Sequence, residues 1–142
     1  MAENLQDGKL AVRLVTPDRV LVDATADAVE LPSASGYLEA LYGAAPLLAE
    51  LGAGEVRLHG GTSDGQTFFV AWGFAEVLPE RVTILAEIAL KPEEIDRART
   101  EEGLKAGQKL WSEAGDDGAK YEEANEMIER AEAEMASSEG KS

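Results

Sequence analysis

Short apolar runs separated by glycine or proline fill the first 90 residues and restrict the folds open to the chain. In the first run, Leu10, Val12 and Leu14 alternate with other residues at the period of a strand with one buried face. Turn signals then return at intervals of about 8–12 residues, the spacing typical of all-β sandwiches and barrels. We therefore predict an antiparallel β-domain of about ten short strands.

Two segments of this part are typical of hairpin connections. Residues 60–65 (GGTSDG) lie between the runs around Leu58 and Phe68 and predict a glycine-rich loop. Residues 78–82 (LPERV) predict a second, tighter turn.

The pattern changes at Pro92. This proline and two following glutamates are favoured in the first turn of a helix, where the acids complement the helix dipole. After a break at residues 112–118, apolar residues recur at three- and four-residue steps and define one narrow seam: Tyr121, Ala124, Ile128, Ala131 and Met135. We predict an antiparallel helical hairpin over residues 91–142, with a frayed tail from Ser137, after a β-domain over residues 1–90. Gly103 and Gly107, four residues apart, could allow close approach of another backbone.

Charge and composition exclude several function classes. The chain has 28 acidic and 13 basic residues, a net charge of −15, which opposes binding to nucleic acid or an anionic membrane surface. It has no cysteine and only one histidine, so we expect no disulfide, no thiolate nucleophile and no metal centre. His59 stands beside a glycine pair without an acidic partner at a telling spacing, and we expect no catalytic residues. Neither a signal peptide nor an apolar membrane span is visible, so a soluble intracellular protein is expected.

Several segments, in order, resemble the epsilon subunit of bacterial F-type ATP synthases. Residues 14–19 (LVTPDR) resemble the first strand and turn of that family, and residues 36–48 (GYLEALYGAAPLL) align with its signature G-E-L-G-x-L-P-G-H-A-P-L-L. Residues 73–77 (GFAEV) and 82–87 (VTILAE) resemble its last strands, and residues 95–99 (IDRAR) the start of its first C-terminal helix. The resemblance covers nearly the whole chain and implies a β-sandwich followed by a helical hairpin.

The resemblance also implies a role. In that family the sandwich clasps the gamma subunit, rests on the polar loops of the membrane c-ring and couples rotation to ATP synthesis without catalysing a reaction. The hairpin folds against the sandwich or extends along gamma towards the catalytic head, where it blocks rotation in the hydrolysis direction. Membership would place this chain on the cytoplasmic face of the bacterial inner membrane, as a peripheral part of the complex without lipid insertion.

The c-ring-facing loop implied by the resemblance carries Gly36, Tyr37, Glu39, Tyr42, Gly43 and Ala44. Glu39 stands where the family usually has glycine, and Ala44 takes the place of its histidine. Trp72 likewise replaces a glycine of the family motif G-G-F.

Some members bind ATP through a motif that Asp96 and Arg99 match in part. Thr100 replaces its alanine and Leu90 stands at the place of a supporting glutamate, so no bound nucleotide is expected here. From Lys91 onward the chain has 8 basic and 15 acidic residues, which predicts a weak or conditional brake, because an acidic catalytic head would repel the hairpin. The alternative to a rotor subunit is a free-standing acidic β-sandwich that binds a ligand and carries a helical tail.

Overall fold

A computed structural model describes residues 8–140, and the side chains of residues 8–138. The stretch from Met1 to Asp7, on which the expected absence of a signal peptide depends, lies outside this range, as do the last two residues of the predicted tail. The chain divides into two compact units between Lys91 and Pro92. The first is a β-sandwich and the second a pair of helices.

In the described part of the first unit there are eight strands, in the sheet order β2-β1-β8-β7-β6-β3-β4, with β5 paired to β7. Their bounds are Leu10–Val15 (β1), Val20–Ala26 (β2), Ala28–Ser33 (β3), Gly36–Leu41 (β4), Leu47–Glu50 (β5), Ala53–His59 (β6), Thr67–Val77 (β7) and Arg81–Leu90 (β8). The predicted sandwich is confirmed. Both predicted hairpin connections are also present, and residues 60–65 include a short 3-10 turn, Gly61–Ser63.

Two details of the predicted sheet are wrong. The run around Phe68 and residues 73–77 belong to one long strand, β7, and not to two short ones, because Gly73 bends the chain without ending its pairing. The sheet is also not wholly antiparallel, since β1 and β8 pair in parallel, with Val12 opposite Val82. Parallel neighbours need a long crossover connection, here the whole intervening sandwich, so no local turn signal announces them.

A corner in β7 carries this strand from one layer of the sandwich to the other. Phe68 and Val70 face the core before the corner, and Ala75 and Val77 face it after the corner, so the alternation shifts by one residue. Between them Trp72 and Gly73 have positive φ angles of 65° and 116°. On one side β7 pairs first with β6 and then with β5, whereas β8 follows it on the other side throughout. Such bends are the usual way for a strand to switch sheets.

Helices Arg97–Glu113 (α1) and Gly118–Gly140 (α2) form the second unit. The predicted start at Pro92 is only a 3-10 turn, Pro92–Glu94, because Asp96 caps α1: its Oδ1 accepts hydrogen bonds from the backbone N–H groups of Ala98 and Arg99. Asp117 caps α2 in the same way. Helix α2 extends to Gly140, and Ser137, where the predicted tail begins, is buried.

Close contact between the helices depends on one of the two candidate glycines. A Cβ on Gly107 would lie 2.9 Å from Ile128 Cγ1 and 3.1 Å from Met127 Cβ, whereas one on Gly103 would meet nothing within 4 Å. Near the connecting turn, the rings of Trp111 and Tyr121 pack edge to face with centroids 5.6 Å apart.

Replacing Gly73 by alanine should destabilise the sandwich more than the same change at Gly65. Both residues have positive φ, which costs a residue with a Cβ about 1–2 kcal/mol. A Cβ at position 73 would in addition overlap the Leu85 carbonyl oxygen, whereas position 65 is open. We expect urea unfolding to give a loss of about 1–2 kcal/mol for Gly65→Ala and of about 3 kcal/mol or more for Gly73→Ala. Equal losses would contradict the corner's steric role.

Candidate functional site

The candidate site is an exposed surface of the sandwich. Across residues 8–138, no group of three or more His, Cys, Asp or Glu side chains could hold a metal ion. None of the helices described is long and apolar enough to cross a membrane. Large apolar side chains are exposed on the outside of the sandwich and need a functional explanation.

Four apolar residues lie in register across the outer face of four neighbouring strands. Val20 of β2 is opposite Val15 of β1, Val15 is opposite Leu85 of β8, and Leu85 is opposite Phe74 of β7. Val20, Leu85 and Phe74 are each about half exposed, at 51%, 54% and 52%. We call these four residues the apolar row.

A second group surrounds the loop between β4 and β5. Leu41, Tyr42, Leu47 and Leu48 are all exposed, Leu48 the most at 69%, and we call them the end patch. The loop is held in place because the Gly43 N–H donates to the Pro79 carbonyl oxygen at 2.7 Å. The φ of 86° at Gly43 is one that a glycine adopts at little cost.

The apolar row and the end patch meet at strand β5. Glu50 is opposite Phe74 and Leu48 is opposite Glu76, which makes Leu48 a diagonal neighbour of Phe74 on the outer face. Apolar surface therefore extends from β2 across the sheet to the β4–β5 loop. Glu50 and Glu76 are exposed within or beside it and give it an acidic border.

The six residues proposed for a single loop fall in two places. Tyr42, Gly43 and Ala44 lie in the β4–β5 loop, but Gly36, Tyr37 and Glu39 belong to strand β4. Tyr37 has contacts of its own: its hydroxyl oxygen accepts from the Glu55 backbone N–H at 2.7 Å, and its ring centroid lies 5.3 Å from the Arg57 guanidinium carbon. The structure thus separates Tyr37 from the loop.

Four residues that complete the apolar surface are not among the predicted site residues. Leu47 and Leu48 stand at the end of the segment 36–48 that aligns with the family signature. Two adjacent leucines cannot both face the core of one strand, and this pattern was the available signal that one of them is exposed. Phe74 and Leu85 carried a weaker signal, because the faces they occupy depend on where β7 bends.

Beside Tyr37, a charged cluster lies on the outer face of β3 and β6. Arg57 Nη1 donates to Glu30 Oε1 at 3.1 Å, Arg57 Nε donates to Glu55 Oε1 at 3.1 Å, and His59 Nε2 lies 3.1 Å from Glu30 Oε2. The hydrogen bond from Arg57, and then that with His59, lowers the pKa of Glu30 below its ordinary value of 4.5. The same bond with Glu30 raises the pKa of Arg57. His59 is therefore a partner of Glu30 in this structure.

Asp96 and Arg99, which match the nucleotide-binding motif in part, both lie at the start of α1. The Asp96 carboxylate caps α1, and Arg99 is an exposed residue of the same helix.

In the seam of α2, Ala124 and Ala131 are buried, whereas Tyr121, Ile128 and Met135 are half-buried.

Comparisons with known proteins agree on one family. A family model described as "ATP synthase, Delta/Epsilon chain, beta-sandwich domain" matches residues 9–92. The chain is 46% identical to the ATP synthase epsilon chain of Koribacter versatilis over 104 residues, which cover 72% of this chain and 71% of that protein. It is 38% identical to the epsilon chain of Gloeothece citriformis over 133 residues, covering 92% and 96% of the two chains.

Solved structures share the fold at low identity. A chain of the Euglena gracilis mitochondrial ATP synthase, determined as an OSCP/F1/c-ring assembly, aligns with a TM-score of 0.77 at 19% identity, covering 91% of this chain and 81% of that one. A chain from the central stalk and c-ring of the Tetrahymena thermophila enzyme aligns with a TM-score of 0.63 at 12% identity, covering 92% and 96%.

The charged cluster should stabilise the sandwich near neutral pH and lose this effect in acid. Because folding lowers the pKa of Glu30, its contribution to stability is complete above pH 4.5 and is lost as the pH falls through the lower folded-state pKa. We expect Glu30→Gln to lower the urea midpoint near pH 7. The difference between the urea midpoints of the variant and the wild type should be smaller at about pH 3. Glu87→Gln, at an exposed position of β8, serves as the matched control. A difference in urea midpoint of the same size at both pH values would contradict the stabilising role of the Glu30 carboxylate.

Proposed function

The chain belongs to the ATP synthase epsilon-chain family, and from this membership we propose that it is a non-catalytic rotor subunit in the central stalk of an F-type ATP synthase. In this role it transmits rotation between the c-ring and the gamma subunit, at the cytoplasmic face of the bacterial inner membrane. The observation that carries the proposal is the exposed apolar surface, because a subunit that only transmits torque needs extended contact surfaces.

The two parts of that surface suit two different partners. The apolar row lies on a broad sheet face, which suits a large, partly apolar surface such as that of gamma. The end patch surrounds a short loop at one end of the strands, a position that suits contact with the loops of a c-ring, and the exposed Glu50 and Glu76 beside it can bind polar groups there. Within that loop, Tyr42, Gly43 and Ala44 are the residues assigned to this contact, and Tyr37 and Glu39 belong to the adjoining face of β4.

The rival function, a free-standing sandwich that binds a small ligand, would need a concave site with converging polar groups. The polar groups at the outer face instead bind one another: Glu30 with Arg57 and His59, and Tyr37 with the Glu55 backbone. Family membership and the exposed apolar residues both favour the rotor subunit.

A regulatory role for the hairpin forms part of the proposal. The hairpin changes from a folded state to an extended one, in which α1 and α2 reach towards the catalytic head. In that state they hinder ATP hydrolysis weakly or conditionally. The weakness follows from charge, because the 15 acidic and 8 basic residues from Lys91 onward are repelled by an acidic surface. No bound nucleotide is needed in this scheme, since Asp96 is used as a helix cap.

Adding a negative charge to the apolar row should weaken binding to gamma. Burying an unpaired aspartate in place of Phe74 or Leu85 removes apolar contact and adds a desolvation cost, so we expect Phe74→Asp and Leu85→Asp each to raise the Kd roughly tenfold or more. The measurement is titration of purified gamma with the full chain. Gln66→Asp adds the same charge in the exposed segment before β7 and should leave the Kd unchanged.

Two results would count against this proposal. If the wild-type chain has no affinity for gamma, the free-standing binding module becomes the better explanation. If Phe74→Asp and Leu85→Asp bind gamma as the wild type does, the apolar row is not the contact surface.

Removing residues 91–142 should change ATP hydrolysis by the assembled complex only slightly. The cut falls between the two compact units, so the sandwich keeps all of its strands. We expect less than a several-fold rise in hydrolysis when the truncated and full-length chains are compared in otherwise identical complexes. A several-fold rise would show a strong brake and contradict the electrostatic argument.

A further inference from the structure

Thr100 and Glu134 form a buried polar contact between the two helices of the hairpin. Thr100 of α1 donates its hydroxyl hydrogen to Glu134 Oε1 of α2 at 2.9 Å, and both residues are buried, at 3% and 7% exposed. Arg130 Nε donates to the other carboxylate oxygen, Oε2, at 2.9 Å. Glu134 is therefore a buried carboxylate with a donor on each oxygen.

Only one of these two donors joins the helices. Arg130 lies one turn before Glu134 on α2, so it remains beside the carboxylate when the helices separate. Thr100 lies in the first part of α1 and would be lost on separation. Within α1 its hydroxyl has an alternative acceptor, the Asp96 carbonyl oxygen at 3.0 Å, so the threonine is satisfied in either state. The carboxylate is the group that loses a partner.

This contact lies at the end of the hairpin opposite the connecting turn. Near the turn, contact between the helices is apolar and close, with Gly107 against Met127 and Ile128, and Trp111 against Tyr121. Thr100 and Glu134 lie beyond these contacts, near the start of α1 and towards the end of α2. The two ends of the hairpin are thus held by different kinds of interaction.

We propose that the Thr100–Glu134 hydrogen bond is a latch that keeps the open end of the hairpin closed, with Arg130 as the residue that positions the carboxylate. When the bond is lost, α2 separates from α1 from Ala131 onward while the turn end stays paired. Thr100 stands where the ATP-binding motif described above has alanine, so the latch is a property of this chain's own residues. Its use in regulation rests on the proposed function, but the latch itself does not.

Hydrogen exchange of the full chain in isolation tests the latch. Thr100→Val removes the hydroxyl and keeps the side-chain shape, whereas Thr100→Ser keeps the hydroxyl. Hydrogen bonds to charged groups are strong enough that we expect exchange of residues 131–140 to be roughly tenfold faster in Thr100→Val than in Thr100→Ser. Exchange near the turn, over residues 119–126, and in the sandwich should be unchanged in both.

A second pair of variants tests the carboxylate. Glu134→Gln loses the charge that both donors bind and should accelerate the same segment, whereas Glu132→Gln, at an exposed position of the same helix, should not. The double variant Thr100→Val/Glu134→Gln should exchange little faster than either single variant, because both substitutions act on the same Thr100–Glu134 hydrogen bond.

Three results would overturn the latch. The first is an equal exchange rate of residues 131–140 in Thr100→Val and Thr100→Ser. The second is faster exchange in Thr100→Val that is equal over the whole hairpin. The third is complete exchange of residues 131–140 of the wild type at the first time point measured. ATP hydrolysis by the complex is measured separately. Faster exchange in Thr100→Val supports the latch whatever the hydrolysis rate, and a hydrolysis rate that differs between Thr100→Val and Thr100→Ser would link the latch to the regulatory role of the hairpin.

Discussion

The continuous pairing of β7 with β8 through a bend is the constraint on which the sandwich depends. Gly73 allows the bend, because the Leu85 carbonyl oxygen occupies the place of a side chain there. The bend lets β7 pair with β6 in one half and with β5 in the other. It also shifts the alternation by one residue, so that Ala75 and Val77 complete the core while Phe74 turns outward. The bend in β7 therefore decides both which of its residues enter the core and which are exposed.

Trp72 shows that this geometry has a cost. A φ of 65° is unfavourable for a bulky residue by about 1–2 kcal/mol, yet the chain has tryptophan there where the family motif has glycine. The surrounding pairing maintains this conformation, because the Trp72 N–H donates to the Gly52 carbonyl oxygen and the Leu51 N–H donates to that of Gly73. Local strain is tolerated where neighbouring strands determine the backbone.

Charge and apolar surface have different distributions in the sandwich. Residues 1–90 carry 13 acidic and 5 basic residues, so the acidity is shared with the hairpin and is not confined to a tail. The outer apolar residues lie across β2, β1, β8 and β7 and continue to the β4–β5 loop, whereas a compact charged cluster around Arg57 lies on β3 and β6. A general acidic surface with one apolar region limits unspecific association and leaves one face for specific contact.

Local patterns in the sequence determined the strand-rich unit, the two helices, their seam and the family, because periodicity and turn residues act over a few neighbours. The tertiary structure decided the features that depend on distant residues. These are the parallel pairing of β1 with β8, the union of two runs into β7, the division of the predicted loop between β4 and the residues after it, and the Thr100–Glu134 contact. In the β1–β8 pair and the Thr100–Glu134 contact the partners are far apart along the chain, and only the folded structure brings them together. The bounds of β7 and β4 depend on the strands with which they pair.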